Sequence, residues 1–389
     1  MQRRAVLVAG VTWGGVTLLG RAAAWAQQLA TCEDRPLGDL VGLVPLHGDR
    51  ARPTPFGTLV GGPGLDARLF TDLSKLAPDR LITPTAEAFV RTAVPSRLPP
   101  TPWTTEAHGF NAALPRLTAD AVARDAAPMG AHLIECAGNA DPDNFGLLSV
   151  AEWDGLPLAQ VVRTLGLTPG AHALLVSGVD ETAIESRTSN AGASWVFPLD
   201  TLDRLGAFLA VRMNGQPLTA DHGAPIRLAV PGWYGCSWIK WVNELRLVSA
   251  DEPTTLQMKE FSLRTHQGRI PALAKDYDAP AIDLAATPIR VEKRRLDGRL
   301  QYRIVGIVWG GDRRVDRLAI RFSAGEPPQP FTVCPAPRTH QTWSLWDYWW
   351  QPASPGIYNI ALTSPDPSIR TRRLDASYYV RRVVIDEVE

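Results

Sequence analysis

The hydrophobic pattern of the chain changes at residues 275–287, where the sequence becomes polar and contains prolines. Beyond this stretch apolar and polar residues alternate, as at Leu300, Tyr302 and Ile304. A period of two is typical of strands that bury one face. Because several such runs follow one another between turn residues, the pattern predicts an antiparallel β-sandwich for residues 281–389.

Residues 81–280 have a mixed pattern. Short apolar runs at residues 131–134 and 173–177 are bounded by glycines and predict buried strands. Between them, apolar side chains recur at helical spacing; these are Leu158, Val161, Val162 and Leu165. We expect a serine or threonine to cap the start of the helix that this spacing predicts. Strands mixed with helices in this way predict an α+β domain.

Residues 1–26 have the features of a cleavable export signal. Arg3 and Arg4 precede an apolar, glycine-rich segment that ends in small residues at Ala26. Paired arginines are typical of twin-arginine signals, so we expect cleavage near Ala26 and a periplasmic product. A membrane anchor is the alternative, but the apolar stretch is shorter than the ~20 residues of a spanning helix, and Arg21 interrupts it.

Residues 27–80 are rich in glycine, proline and isolated charges, and they show no sustained period. They predict an extended lead-in to the α+β domain, with a short helix at residues 70–76. Cys32 lies in a sequence that is similar to a lipoprotein cleavage box, but Thr31 fits that box badly. Lipidation is therefore the lesser alternative.

Charge and cysteine content exclude several classes of protein. The 40 basic and 40 acidic residues balance, whereas a nucleic acid-binding surface requires a basic excess. No Cys-x-x-Cys occurs among the four cysteines, which excludes a c-type haem attached to this chain and a zinc finger. In an exported protein Cys32 and Cys334 could form a disulfide, although two thiols so distant in sequence could equally stay unpaired.

The motifs that point to chemistry begin with Cys136, which lies where an apolar run breaks into the turn Cys-Ala-Gly-Asn. A thiolate at such a turn can bind a metal, although a lone cysteine is more often a buried, inert thiol. Four further blocks follow in order; they span residues 213–218, 221–227, 230–235 and 239–241. The ordered set, rather than any one block, carries the interpretation.

These blocks resemble the sulfite oxidase family of molybdopterin-dependent oxidoreductases, and the resemblance runs from about Thr83 into the C-terminal region. It implies a molybdopterin-binding α+β domain at residues 81–280. It also implies an immunoglobulin-like sandwich at residues 281–389, which in the family carries the dimer contact. By position, Cys136 would bind molybdenum directly, and the cofactor would supply the other ligands.

The resemblance also assigns residues to the cofactor. A pyranopterin cofactor ends in a phosphate, so its pocket needs fixed cations and hydrogen-bond donors. The matching positions are Phe89, Arg91, Thr92, Cys136, Asp180, His222, Arg227, Gly235, Ser237 and Lys240. Of these, Cys136 and Arg91 are the expected catalytic residues, with Arg91 facing both cofactor and substrate. Taken singly, each position has a plainer explanation, such as a solvated arginine or a structural histidine.

Two departures from the family's pattern concern the substrate. Sulfite-oxidising members commonly carry an arginine pair after the Cys-Ala-Gly-Asn segment, and this chain has Asp141 and Asp143 there. The family's active-site tyrosine is replaced by Ala191 in the segment Ala-Gly-Ala-Ser. Because acidic side chains repel an anion, these departures favour a neutral or carrier-bound sulfur compound over free sulfite.

The resemblance implies an exported molybdenum-cofactor enzyme that transfers an oxygen atom on a sulfur compound, with sulfite dehydrogenase as the nearest activity. We expect a separate c-type cytochrome to accept the electrons, and a homodimer formed through the C-terminal domain. The alternatives are a sulfoxide-type reductase that uses the same site and a catalytically idle cofactor-binding subunit of a redox complex. The tryptophan cluster is expected to pack between domains or at a dimer seam; it comprises Trp343, Trp346, Trp349 and Trp350.

Overall fold

The structure is a computed structural model. It describes residues 36–47, 59–60, 66–95, 98–99, 101–112, 116–140, 145–181, 192–334, 337, 339–372, 374 and 379–388. The predicted export signal, Cys32, Asp141, Asp143 and Ala191 lie outside the described residues. None of the helices in the described ranges is long and apolar enough to cross a membrane.

Strands dominate the architecture. Within the described residues they are, in chain order, β1 (Asp39–Val44), β2 (Arg68–Leu69), β3 (Val90–Arg91), β4 (Thr104–His108), β5 (Arg116–Thr118), β6 (Ala127–Glu135), β7 (Leu148–Pro157), β8 (Ala173–Gly178), β9 (Ser194–Pro198), β10 (Phe208–Met213), β11 (Gln216–Pro217), β12 (Arg227–Ala229), β13 (Val242–Val248), β14 (Ala285–Leu296), β15 (Arg299–Trp309), β16 (Arg317–Arg321), β17 (Gln329–Thr332), β18 (Ser344–Trp350), β19 (Gly356–Thr363) and β20 (Arg381–Ile385).

The helices of the described residues are short. The α-helices are α1 (Ala119–Asp125), α2 (Leu158–Leu165), α3 (Leu202–Leu205) and α4 (Leu256–Phe261). Single turns of 3₁₀-helix occur at Leu73–Lys75, Thr85–Glu87, Val179–Glu181, Leu199–Thr201, Ala220–His222, Gly235–Ser237, Ser262–Thr265 and Ala274–Asp276. Several of these turns hold residues that the sequence analysis assigned to the site.

Two five-stranded sheets precede β14 among the described strands. The first has the order β11-β10-β7-β6 with β12 also paired to β10, and all its pairs are antiparallel. The second has the order β5-β4-β13-β8-β9, and in it β13 and β4 run parallel. These sheets and the helices beside them confirm the predicted α+β class, including the strands expected at residues 131–134 and 173–177.

Of the remaining described strands, β2 and β3 pair with each other, and the other eight form two four-stranded antiparallel sheets. Their orders are β1-β14-β15-β18 and β17-β16-β19-β20. The alternation that predicted this region is confirmed in β15, where Leu300, Tyr302 and Ile304 are buried. β1 belongs to this C-terminal sheet although it lies in the segment predicted as a lead-in, and it pairs along β14.

Two local predictions need correction. Helix α2 forms where the apolar spacing predicted it, but no serine or threonine caps it, because its N-cap residue is Pro157 at the end of β7. The first helical N–H, that of Leu158, instead donates to the carbonyl of Ala207 at 2.8 Å. The helix predicted at residues 70–76 is only the single 3₁₀ turn Leu73–Lys75, which Asp72 caps.

One continuous hydrophobic core joins the two parts of the molecule, which are the α+β part before β14 and the C-terminal part that contains the two four-stranded sheets. Trp343 takes part in the junction, because its indole N–H donates to the carbonyl of Leu81 at 2.9 Å. Trp346 is buried inside the C-terminal part, and Trp350 stacks on Phe322 with ring centroids 4.1 Å apart. Trp343 therefore packs between the two parts, as expected of the cluster, while Trp346 and Trp350 fill the sandwich itself.

Candidate active site

The candidate site is a cleft that Cys136 lines, and we call it the Cys136 cleft. Its walls come from β3, the turn after β6, the turn after β8, the 3₁₀ turns Ala220–His222 and Gly235–Ser237, and α4. Elements from distant parts of the sequence thus converge on one sulfur atom. Such a concave site with a few fixed polar groups is typical of a cofactor or substrate pocket.

Cys136 is held in a tight turn at the end of β6. Its N–H donates to the carbonyl of Leu147, its carbonyl accepts from the N–H of Asn139, and both distances are 2.9 Å. The N–H of Gly138 points at the sulfur, with an N to Sγ distance of 3.3 Å. The turn therefore fixes the position of the sulfur, as a cysteine that binds a metal requires.

The residue before Cys136 is a fully buried carboxylate, Glu135. The indole N–H of Trp309 donates to its Oε2 at 2.8 Å, and Arg372 Nη1 lies 3.6 Å from its Oε1. Burial alone would lower the pKa of Arg372, but Glu135 and Tyr234 raise it well above its ordinary value. Trp309 and Arg372 belong to the C-terminal part of the chain, so that part anchors the strand end that carries Cys136.

His222 also lines the cleft, and its Nε2 is 3.0 Å from the carbonyl oxygen of Thr85. Because a carbonyl only accepts, Nε2 carries the ring proton and Nδ1 is left as an acceptor. Burial, aided by the positive charge of Arg227, lowers the pKa of His222 to about 4. The ring is therefore neutral at pH 7.

Arg227 is buried beside this histidine. Its Nη1 donates to the carbonyl of His222 at 3.1 Å, and its guanidinium carbon lies 5.4 Å from the ring centroid of Trp153. Burial lowers the pKa of Arg227 to about 9. Within the described residues, Arg227 Nε and the indole N–H of Trp153 are buried donors without a hydrogen-bond partner. Both residues line the cleft, so a ligand with acceptor oxygens would satisfy them.

Lys240 adds a third basic group to this wall. Its Nζ donates to the carbonyls of Thr92 and Asp221 at 2.7 and 2.9 Å, and it lies 4.2 Å from the ring centroid of Trp241. Desolvation lowers the pKa of Lys240 to about 7 although Asp180 opposes the shift. A bound anion would raise this pKa again, so the lysine is suited to hold one.

Thr92 has a strained backbone, with a φ of 86°. A β-branched residue rarely adopts this left-handed conformation, and such strain concentrates at functional sites. Its N–H donates to the carbonyl of Ala67 at 3.2 Å, while its own carbonyl accepts from Lys240. The strained conformation thus aims a carbonyl at the cationic wall of the cleft.

These features fit a phosphate-bearing metal cofactor. The cleft combines two buried thiols, Cys136 and Cys236, with buried donors that lack partners. It also holds four basic side chains whose pKa values are all lowered, namely Arg91, His222, Arg227 and Lys240. Desolvated basic groups are costly without an anion to offset them. The donor set therefore matches what the pyranopterin cofactor inferred from the sequence would require.

The structure brings nearly all of the predicted site residues together. Nine of the ten line the Cys136 cleft, namely Phe89, Arg91, Thr92, Cys136, Asp180, His222, Arg227, Gly235 and Lys240. Ser237 does not line it, because its hydroxyl is buried and donates to the carbonyl of Tyr234 at 2.9 Å. Gly192 and Ala193, next to the position where the family has tyrosine, line the cleft and carry no hydroxyl.

Sequence reasoning missed the wall formed by α4 and a second thiol. Gln257, Glu260 and Phe261 of α4 line the cleft, and so does Cys236. Burial raises the pKa of Cys236 well above its ordinary value, so this thiol stays protonated. The start of α4 carries a recognisable signal in Thr255, whose hydroxyl accepts from the N–H of Met258 at 3.2 Å. Nothing in its sequence indicates that the helix faces a site.

Residues 92–256 match the oxidoreductase molybdopterin binding domain family. Among curated relatives, the mitochondrial sulfite oxidase of Mus musculus is 27% identical over 265 residues, which cover 60% of this chain and 46% of that protein. A nitrate reductase [NADH] of Ulva prolifera is 24% identical over 222 residues, which cover 52% of this chain and 26% of that protein. The chain thus spans less than half the length of these relatives.

A solved structure shares the fold over most of the chain. The crystal structure of the sulfane dehydrogenase SoxCD from Paracoccus pantotrophus superposes with a TM-score of 0.63 at 18% identity. The match covers 89% of this chain and 91% of that one. At this identity the similarity establishes the common fold and not a common substrate.

Proposed function

We propose that this protein transfers an oxygen atom to or from a sulfur compound. The chain belongs to the sulfite oxidase family of molybdopterin-binding oxidoreductases. The observation that carries the proposal is the Cys136 cleft itself, in which a buried thiol faces a wall of desolvated basic groups. When bound, the cofactor supplies two-electron oxygen-atom transfer chemistry. The roles of the protein are to bind the cofactor, to orient it and to bind the substrate.

Cys136 is the residue that would hold the metal. Its sulfur is fixed by the turn at residues 136–139 and by the N–H of Gly138, and Glu135 beneath it is fixed from the C-terminal part. A ligand positioned in this way needs little reorganisation when the metal binds.

Arg227, Lys240 and His222 would hold the organic part of the cofactor. Arg227 has an unused Nε donor, and Lys240 has a pKa near neutrality that a phosphate would raise. His222 is neutral and offers Nδ1 as an acceptor to ring N–H groups of a pterin. Phe89 and the 3₁₀ turn Gly235–Ser237 close the cleft around it.

The remaining parts of the proposal concern location and partners. Export through a twin-arginine signal, electron transfer to a separate c-type cytochrome and pairing of two copies through the C-terminal sheets are supported by the sequence pattern and the family resemblance. Similarity to nitrate reductase as well as sulfite oxidase supports a site that could work in either direction, so a sulfoxide-type reductase remains the second candidate.

The first test is the metal content of Cys136→Ser against Cys236→Ser, a matched control in the same cleft. We expect about one molybdenum per chain and a thiolate-to-molybdenum charge-transfer absorption in the wild type and in the control. Cys136→Ser should lose the absorption band and all turnover of sulfur compounds. Undiminished turnover in Cys136→Ser, or a wild type without molybdenum, would contradict the proposal; bound molybdenum without turnover of any sulfur compound would instead support the idle-subunit alternative.

A further inference from the structure

Asn139 joins the turn at residues 136–139 to the residue that precedes it. Its side chain is fully buried, and its amide nitrogen donates to Oε1 of Glu135 at 3.4 Å. Its side-chain oxygen accepts from the N–H of Leu147 at 3.1 Å, and its own N–H closes the turn on the carbonyl of Cys136. A movement of the Glu135 carboxylate would therefore be passed on to the turn that holds the sulfur.

The main chain of Glu135 is fixed as well. It is the last residue of β6, and its partner in β7 is Leu148. A Cβ at Gly235 would lie 3.1 Å from the carbonyl oxygen of Glu135, so the 3₁₀ turn that begins at Gly235 packs closely against this residue. Glu135 is thus the last residue of the sheet before the sulfur of Cys136.

The Glu135 carboxylate is held by groups from far along the chain. Trp309, at the end of β15, donates its indole N–H to Oε2 at 2.8 Å, and Arg372 Nη1 lies 3.6 Å from Oε1. Arg372 is itself fixed, because it donates to the hydroxyl of Tyr379 at 2.9 Å and to that of Tyr234. The C-terminal part of the molecule therefore determines where this carboxylate lies.

Stability alone does not account for a buried ion pair at this place. Exchange of such a pair for apolar side chains of similar size is often neutral or stabilising. A carboxylate differs from an apolar side chain in that its two oxygens are held from fixed directions, here by Trp309 on one side and by Arg372 and Asn139 on the other. The arrangement gives a defined position to the strand end that carries Cys136.

We propose that Glu135 is a positioning residue for the sulfur of Cys136, and that Trp309 and Arg372 hold it for this role. The proposal rests on the function proposed above, and none of these three positioning residues lines the cleft. A metal ligand depends on the groups behind it, because they limit its motion and set its orientation. The C-terminal part is thereby a component of the metal site.

The test compares Trp309→Phe with Trp343→Phe as its matched control. Both indoles are buried, and each donates one N–H to a residue before β14, from Trp309 to Glu135 at 2.8 Å and from Trp343 to the carbonyl of Leu81 at 2.9 Å. The two variants therefore lose the same atoms, and Trp309→Phe alone removes a donor from Glu135.

Two measurements on the full-length protein follow the position of the sulfur. Hydrogen exchange of the Cys136, Asn139 and Leu147 amides, resolved by mass spectrometry, should be about tenfold faster in Trp309→Phe than in the wild type. Molybdenum should be lost from the Trp309→Phe holoenzyme about tenfold to a hundredfold faster, as followed by the thiolate-to-molybdenum charge-transfer absorption. Trp343→Phe should match the wild type in both measurements.

The outcomes separate this proposal from the proposed function. Equal exchange in the two variants, or faster exchange in Trp309→Phe without faster loss of molybdenum, would overturn the positioning role and leave the enzyme assignment standing. Faster exchange confined to Trp309→Phe, in a protein that never takes up molybdenum, would support the positioning of Cys136 while the enzyme assignment fails. If Trp309→Phe does not fold, Glu135→Gln, which keeps the shape of the side chain, takes its place, and wild-type exchange in that variant would overturn the proposal.

Discussion

At the scale of single residues, the site depends on buried groups whose pKa values are shifted toward the neutral form. His222 is neutral, Lys240 is easily deprotonated and Cys236 is a protonated thiol. In each case the largest cause is burial, which disfavours a charged form. For Lys240, a bound anion would favour the charged form and raise the pKa again.

The neutral state of His222 predicts how stability depends on pH. Its pKa in the folded protein, about 4, is below the ordinary value, so the unfolded chain binds a proton more readily. Its contribution to stability is complete above the unfolded pKa and is lost as the pH falls toward 4. The stability difference between wild type and His222→Gln should change by about 3 kcal/mol between pH 7 and pH 4. Urea unfolding at several pH values measures it.

His132 does not disturb this comparison of wild type with His222→Gln. It is also buried, and its pKa is also lowered by burial, so it contributes to the pH dependence of both proteins and cancels in the difference. A difference that stays constant from pH 7 to pH 4 would show that His222 is not held neutral.

At this scale the sequence predicted much of the cleft and missed one of its walls. Residues such as Cys136, His222 and Arg227 lie in blocks whose order identifies them. Gln257, Glu260 and Phe261 lie in a segment without a recognisable site motif, and they reach the cleft only because the tertiary fold places α4 against it. Proximity of that kind is a product of tertiary folding, which local pattern does not encode.

At the scale of secondary structure elements, close strand packing depends on one glycine. Gly306 of β15 lies opposite Trp346 of β18, and a Cβ at Gly306 would overlap that indole ring. Gly306→Ala should therefore destabilise the protein by about 3 kcal/mol, since overpacking forces the ring from its place. Thermal or urea unfolding measures the effect.

Gly42→Ala is the matched control for this substitution. Gly42 lies in β1 of the same sheet, and a Cβ there would meet nothing within 4 Å. Equal stability of the two alanine variants would mean that the sandwich accommodates the extra methyl group at Gly306.

Element types were easier to predict from the sequence than their partners. Alternation identified β15, and helical spacing identified α2, because both signals are local. The pairing of β1 with β14 was missed, since exposed residues dominate β1 and its period is weak. The missing α2 cap has a similar origin, because a distant carbonyl replaces the expected side chain.

At the scale of the whole molecule, a buried ion pair between Glu135 and Arg372 joins the α+β part to the C-terminal part beneath the turn that carries Cys136. Removal of Arg372 would leave Glu135 charged and fully buried with only neutral partners. We expect Arg372→Met to lower the free energy of unfolding by roughly 3–5 kcal/mol. The double variant Glu135→Gln, Arg372→Met should recover much of the loss, because no charge then remains buried.

The exposed ion pair of Arg163 with Asp203 is the control for the buried pair of Arg372 with Glu135. Breaking the pair of Arg163 with Asp203, which is open to solvent, should cost less than about 1 kcal/mol. If Arg372→Met costs no more than Arg163→Met, the junction does not depend on the ion pair.

The pairing of β1 with β14 also has a consequence for the order of events during synthesis. The first described strand leaves the ribosome long before the strand that completes its hydrogen bonds, and His47 likewise waits for Arg382 near the end of the chain. Non-local pairing of this kind forms late. The sheet is therefore complete only after β18, which ends at Trp350, has been synthesised, and until then a nascent chain keeps an open strand edge that a chaperone could recognise.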